Sequence, residues 1–322
     1  MRVLVTGAAG WLGRHLCPML KAHGHEPVGL DLADGPHVDV RASVCDRSRI
    51  HDLFARHTFD AVIHAGALHK PDIARFPARA FVDVNITGTL NLLEEAAAIP
   101  GCRFILSSTT SLMISHAIRE EQSDQAVWLD ESAGPLEPRN IYGVTKLAAE
   151  GLCRRHHLEF GLKAIVLRTA RFFPEEDDTL KALSGENLKV LEYLYRRASV
   201  ADMARAHILA MERAYEVGFG LYIVSAPTPF TPANLSALKQ DAAGVIRRVF
   251  PEVDARFATR NWKLPRSIGR VYDGSRISRE LGFEYQTSFA RLLDALPDLD
   301  PESIGHDPGF KSPSASWTGW EA

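Results

Sequence analysis

Cysteine is scarce in this chain: four residues in 322, at Cys17, Cys45, Cys102 and Cys153, far apart and with no CxxC pair. That spacing excludes a disulfide frame and a zinc site, and it suits reduced, buried thiols. Charge of one sign is lacking too. The 37 Lys and Arg oppose 40 Asp and Glu for a net charge of -3, and no basic stripe is interleaved with aromatics. Nucleic acid is therefore not an expected partner. No apolar run approaches the roughly 20 residues that span a bilayer. The N-terminus opens at once on a strand, with no charged and apolar leader. These absences predict a cytoplasmic protein with no membrane partner. The acidic stretch "PEEDD" at 174–178 has no spaced histidine partner, so it reads as a solvated loop and no metal is expected.

What is present is alternation. Apolar runs at 2–5, 27–30, 61–64, 104–106 and 164–167 are separated by segments of helical period at 12–21, 50–56, 86–98 and 142–155. Strands that are apolar throughout, each followed by a helix, predict a parallel sheet covered on both faces. The fold class expected is α/β, a Rossmann-type doubly wound parallel sheet with a small C-terminal substrate lobe. Residues 1–170 form the sheet domain, with 198–226 returning to it through a helix at 200–215 and a strand at 221–224. Residues 171–197 and 227–296 form the lobe. The Pro-, Gly- and Ser-rich stretch 297–322 is expected to be a poorly ordered tail.

The opening "MRVLVTGAAGWLGRHL" sets Gly7, Gly10 and Gly13 where the first strand meets the first helix. Glycine there serves unusual dihedrals, close backbone approach and tight helix–strand packing, and a helix N-terminus suits a pyrophosphate. The spacing is GxxGxxG, which taken alone fits a structural turn as well as a cofactor turn. The second strand ends at Asp31, in "PVGLDLADG". A carboxylate at that tip accepts both adenosine ribose hydroxyls and repels a 2′-phosphate, and neither Leu32 nor Ala33 offers the arginine NADP would need. The expected cofactor is NAD.

"RNIYGVTKLAAE" carries Tyr142 and Lys146 one helical turn apart on one face. A tyrosine works as acid/base only if its phenol, ordinarily near pKa 10, is pulled toward neutrality, which requires roughly 4 kcal/mol for about three units. The Lys146 ammonium and a cationic nicotinamide ring are the expected sources. The end of the fourth strand, "FILSSTTSLM", places Ser107, Ser108, Thr109, Thr110 and Ser111 where α/β sheets bind ligands. Such hydroxyls suit either a substrate or local turn bonds.

In this order, TGAAGWLG, Asp31, "VIHAGAL", "VNITGTLNLL", the Ser/Thr strand end, YGVTK and "VLRTARFF" resemble the extended short-chain dehydrogenase/reductases, the NAD-dependent epimerase/dehydratase family, over about residues 1–296. The resemblance implies that Tyr142 is the acid/base, Lys146 its helper, and Thr109 the catalytic hydroxyl with Ser108 the alternative. It implies a cofactor set of Gly7, Gly10, Trp11, Leu12, Gly13, Asp31, Leu32, Ser107, Thr169, Tyr142 and Lys146. Ser43 and Val44 match the segment that cradles adenine, Ala65, Gly66 and Ala67 the loop beneath the cofactor, and Asn85 the helix residue supporting it. His69, Thr110 and Ser111 fall on the substrate side. The resemblance also implies a homodimer through the helices near 86–98 and 142–155.

Two departures narrow the activity. Thr110 and Ser111 stand where dehydratases of the family resemble one another in an Asp–Glu pair, which argues against water elimination. Arg171 replaces an Asn that binds the nucleotide in nucleotide-sugar epimerases, and the nucleotide region is shortened. Arg171, Arg196 and Arg197 either hold a substrate carboxylate or phosphate or pair with the acidic run at 174–178. His156 and His157 read as helix-end residues and His207 as a packing residue. The expected function is an NAD-dependent sugar epimerase working through a transient ketone on a small carbohydrate. The alternatives are a dehydrogenase of a small sugar or sugar acid, and a non-catalytic NAD sensor.

Overall fold

The apolar runs become strands in the computed structural model, which describes residues 1–175, 183, 185–300 and 304–316. They are β1 (Arg2–Thr6), β2 (Glu26–Asp31), β3 (Val40–Arg41), β4 (Ala61–His64), β5 (Arg103–Thr109), β6 (Val127–Leu129), β7 (Lys163–Thr169), β8 (Phe219–Val224) and β9 (Arg270–Tyr272). Seven of them form one parallel sheet in the order β3-β2-β1-β4-β5-β7-β8, and β6 pairs with β9 separately. The chain winds outward from β1 to β3, then crosses back to β4 and winds the other way. The crevice at that reversal, beside β1 and β4, is where such sheets bind ligands.

Both sheet faces are apolar, so both need a helical cover. Helices Trp11–Ala22 and Val200–Val217 share one core with Val3, Val5, Ile63, Ile105 and Leu167. Helices Arg47–Arg56, Gly88–Ala98 and Ile141–Phe160 cover Leu4, Val62, Phe104 and Val166 on the other face. Side-chain caps fix where helices begin: Asp46, Asn140 and Ser199 accept from Arg49, Gly143 and Asp202 backbone N–H groups. Such a cap contributes about 1 kcal/mol.

Three features add to the expectation or differ from it. Helix Gly185–Glu192 delivers Glu192, fully buried, to three guanidiniums: Arg171 at 3.2 Å, Arg196 at 2.7 Å and Arg197 at 3.0 Å. The arginines expected to hold substrate, or else to pair with the run at 174–178, thus have in Glu192 a partner that the expectation did not include; residues 176–178 of that run lie outside the described residues. His207 is buried, as a packing residue should be, but it also accepts a hydrogen bond from Ser107 through Nε2 (2.6 Å) while its Nδ1–H donates to the Met203 carbonyl (2.7 Å). The tail is corrected. Residues 304–316 pack against the domain, with Ile304 and Ser314 buried, whereas 301–303 and 317–322 lie outside the described residues.

Removing the Glu192 charge leaves three guanidiniums without their shared carboxylate. The variant Glu192→Gln is expected to lose roughly 3–5 kcal/mol of stability. Urea unfolding measures this, and a midpoint equal to wild type contradicts it.

Candidate active site

The site is assembled from strand ends. Thr6, Asp31, His64, Thr109 and Thr169 are the last residues of β1, β2, β4, β5 and β7. The glycine turn begins here. Gly7 has φ +76°, and a Cβ on it would lie 2.8 Å from Gly66 N; a Cβ on Gly13 would lie 2.3 Å from the Gly7 carbonyl oxygen. The backbone therefore runs closer to the helix and to the Gly66 loop than any side chain permits. Asp31 braces the turn, accepting from Ala9 N at 3.0 Å and Ala33 N at 2.9 Å. Burial pushes its pKa up against those bonds. Trp11 is half-buried, Leu12 buried and Leu32 exposed beside it.

A chain of hydrogen bonds runs from the floor of the crevice to the helix Ile141–Phe160. Gly66 N donates to Thr6 Oγ1 (3.0 Å), and Thr6 Oγ1 bonds His64 Nδ1 (2.6 Å). His64 Nε2 bonds Thr89 Oγ1 (3.0 Å), which donates to the Asn85 carbonyl (2.7 Å). Because Thr89 spends its proton on a carbonyl, His64 must donate from Nε2 and accept from Thr6. Burial pushes the His64 pKa down to about 3, so the ring stays neutral. Asn85 completes the chain: its Oδ1 accepts from Leu68 N, and its Nδ2 donates to the Leu68 carbonyl and to Thr145 Oγ1. It sits in a π-helical turn, Asp83–Thr87, a widening of the helix of the kind found at functional sites. Asn91, absent from the sequence reading, donates to the Val44 carbonyl at 3.0 Å and so pins the 43–44 segment, where Ser43 Oγ accepts from Cys45 N. Ala65 and Ala67 flank Gly66 on the loop held by this chain.

Tyr142 and Lys146 are 6 % and 2 % exposed. Burial pushes the Tyr142 phenol up to about 12, against a hydrogen bond from Thr109 that lowers it. Burial also pushes Lys146 down from 10.5 to about 8. The expected pull toward neutrality comes from the ammonium together with a cationic nicotinamide ring, and so concerns the cofactor-bound protein. Desolvation dominates both groups, and Thr109 is the group that favours the phenolate. Among the described residues no hydrogen bond reaches the Lys146 ammonium. Thr109 Oγ1 also accepts from Ser111 N at 3.0 Å. Ser108, the alternative hydroxyl, instead donates to Glu150 at 2.5 Å, and Glu150 is clamped by Arg168 at 2.8 Å and 3.0 Å. Thr110 Oγ1 donates to the Thr169 carbonyl (3.3 Å), and Thr169 Oγ1 to the Ser108 carbonyl (2.8 Å). His69 lies beside the phenol, ring centroids 5.9 Å apart. Its backbone N–H donates to Asp72 at 2.6 Å.

A doubly wound sheet whose crevice joins a glycine turn, a strand-tip carboxylate and a buried Tyr–Lys–Thr group defines a dinucleotide-dependent oxidoreductase-type fold. A model of the NAD dependent epimerase/dehydratase family matches residues 3–220, and the chain belongs to that family. It is similar to a UDP-glucose 4-epimerase of Rhizobium meliloti, 32 % identical over 173 residues that cover 52 % of this chain and 50 % of that one. It is also similar to a dTDP-glucose 4,6-dehydratase of Streptomyces niveus, 28 % identical with 90 % of each chain covered. The chain spans about half the length of several curated relatives that it matches. A solved structure of a Thermus thermophilus UDP-glucose 4-epimerase in complex with NAD superposes with a TM-score of 0.64 at 22 % identity, covering 94 % of this chain and 99 % of that one. No helix among the described residues is long and apolar enough to cross a membrane.

The residues fit NAD, the cofactor of the family. At Gly7 and Gly13 a Cβ would strike the backbone of the Gly66 loop and of the turn itself. Glycine therefore lets the turn close at the start of helix Trp11–Ala22, whose N-terminus has no side-chain cap and suits a pyrophosphate. Among the described residues no hydrogen bond occupies the buried Lys146 ammonium. Between pH 8 and 10.5 the unfolded chain keeps the Lys146 proton that the folded chain has released. This group therefore adds stability as pH rises through that window and detracts from it below. The stability difference, wild type minus Lys146→Met, is expected to rise from pH 8 to 10 in urea unfolding without cofactor. A difference independent of pH contradicts the burial of the amine.

Proposed function

We propose that the protein is an NAD-dependent sugar epimerase that oxidises a carbinol to a transient ketone and reduces it from the other face. The observation that carries this reading is the buried Tyr142 phenol, hydrogen-bonded by Thr109 and sharing a helix face with Lys146. When bound, NAD accepts and returns the hydride. Tyr142 takes the hydroxyl proton of the sugar and later gives it back, Thr109 orients the reacting oxygen and steadies the phenolate, and the unspent Lys146 hydrogens suit the ribose hydroxyls. Ser107, held by His207, and the Gly66 loop support the nicotinamide side of the crevice.

Water elimination needs a further acid near Thr109. The carboxylate that acts on the phenol is Asp72. It is already engaged by Arg75, Ser314 and the His69 N–H, which supports epimerisation over dehydration. The substrate side carries positive charge. Arg139 stands three residues before Tyr142, and its pKa is pushed down by burial and by Arg119 and Arg270. Among the described residues, the buried Nε atoms of Arg139 and Arg270 find no hydrogen-bond partner. These guanidiniums suit a sugar bearing a phosphate or carboxylate, in place of the arginines bound to Glu192. Exposed Val144 and Leu158 lie on one side of helix Ile141–Phe160 and suit a homodimer through that helix.

Incubation with NAD and a panel of nucleotide-linked sugars, free sugars and sugar acids is expected to interconvert one pair of epimers by NMR, with no net NADH. Tyr142→Phe is expected to slow this by about 10²–10⁴-fold. Steady NADH formation on a sugar acid, without epimer exchange, replaces this reading with the dehydrogenase. A light-scattering mass of 35.6 kDa rather than twice that removes the dimer.

A further inference from the structure

The C-terminal segment crosses the crevice from one face of the sheet to the other. At one rim Phe310 meets Trp11 edge-on, with ring centroids 5.1 Å apart and planes at 66°, and the Arg14 guanidinium lies 5.6 Å from the Phe310 centroid. At the other rim Ser314 Oγ donates to Asp72 over 2.8 Å and accepts from Arg75 over 3.1 Å. The Asp307 N–H donates to the Pro174 carbonyl at 2.9 Å and fixes the start of the crossing.

The two rims belong to different layers. Trp11 and Arg14 lie in the helix that follows β1 and packs on one face, whereas Asp72 and Arg75 follow β4 and lead to the helices on the opposite face. A segment joined to both spans the reversal point between β1 and β4, from Trp11 at the end of the glycine turn to Asp72. Each fastening is individually weak: one aromatic contact with a cation over it, and one hydroxyl in a carboxylate–guanidinium pair.

We propose that residues 307–314 form a strap that retains NAD in the cleft between turnovers, with Phe310 and Ser314 as its positioning residues. The inference rests on the reading of this crevice as the NAD site, and it deepens the proposed function. An epimerase returns each hydride to the same substrate and gains from keeping its cofactor, whereas a net dehydrogenase must release NADH on every cycle. Asp72 links the strap to the chemistry, because the carboxylate that fastens Ser314 also acts on the Tyr142 phenol.

The test measures release of NADH from the loaded full-length protein, chased with excess NAD and followed by energy transfer from tryptophan. Phe310→Ala is expected to speed release about tenfold and Ser314→Ala about threefold, while Phe310→Tyr stays near wild type. A double variant, Asp72→Cys with Ser314→Cys, at two short side chains that meet at 2.8 Å, is expected to trap the cofactor when oxidised and free it on reduction. A folded Phe310→Ala protein releasing at the wild-type rate, or an oxidised double variant that still exchanges, overturns the strap. Should Phe310→Ala fail to fold, the double variant decides alone. No sugar is present in this measurement, so failure of the epimerase assay leaves its result unaffected.

Discussion

Burial of one phenol and one ammonium on the same turn of one helix is the constraint around which this molecule is arranged. Water would hold Tyr142 near its ordinary pKa and Lys146 fully charged. Inside the domain the phenol is pushed up to about 12 and the amine down to about 8, so each charged form waits for a partner that the site must supply. A cationic ring beside the phenol and ribose hydroxyls beside the amine meet both demands. In the proposed function, the chemistry and the hold on the cofactor both rest on this single desolvated pair.

Keeping that pair in place is the task of a polar chain with no slack. Gly66, Thr6, His64, Thr89, Asn85 and Thr145 each give and receive in one consistent direction, so the floor of the crevice and the catalytic helix cannot shift independently. The parallel sheet contributes the geometry, since all its functional residues stand at carboxyl ends. Buried ion pairs close the structure on either side of the site: Glu150 with Arg168 behind Ser108, and Glu192 with its arginines beneath the lobe. Such pairs add little net stability, but removing one partner is costly because it leaves a buried charge uncompensated.

Much of this was legible in the order of residues. Strands β1, β2, β4, β5 and β7 are short apolar runs between helical repeats, and the glycines, Asp31 and the YxxxK spacing stand at the joints. What was not legible lacks local pattern. Strands β3, β6 and β9 have two or three residues each and no periodicity. Glu192 looks like any helix-end acid until an isolated bridge brings Arg171 beside Arg197. Ser107 and Ser108 are sequence neighbours that point to opposite sides of β5, one to His207 and the other to Glu150. Only the pleat and the cores on either face separate their fates. The tail reads as disordered by composition, yet residues 304–316 are held by scattered single contacts, Ile304, Asp307, Phe310 and Ser314 among them, which leave no pattern in the sequence.

The most direct test follows the ionisation of Tyr142 itself. With tyrosine labelled by ¹³C at Cζ, NMR titration of the cofactor-free protein should place this phenol near 12. Saturating NAD should lower it by about two units or more, the amount that a nearby positive charge in a desolvated site supplies. A phenol that titrates near 10 without cofactor, or that does not respond to NAD, contradicts the account.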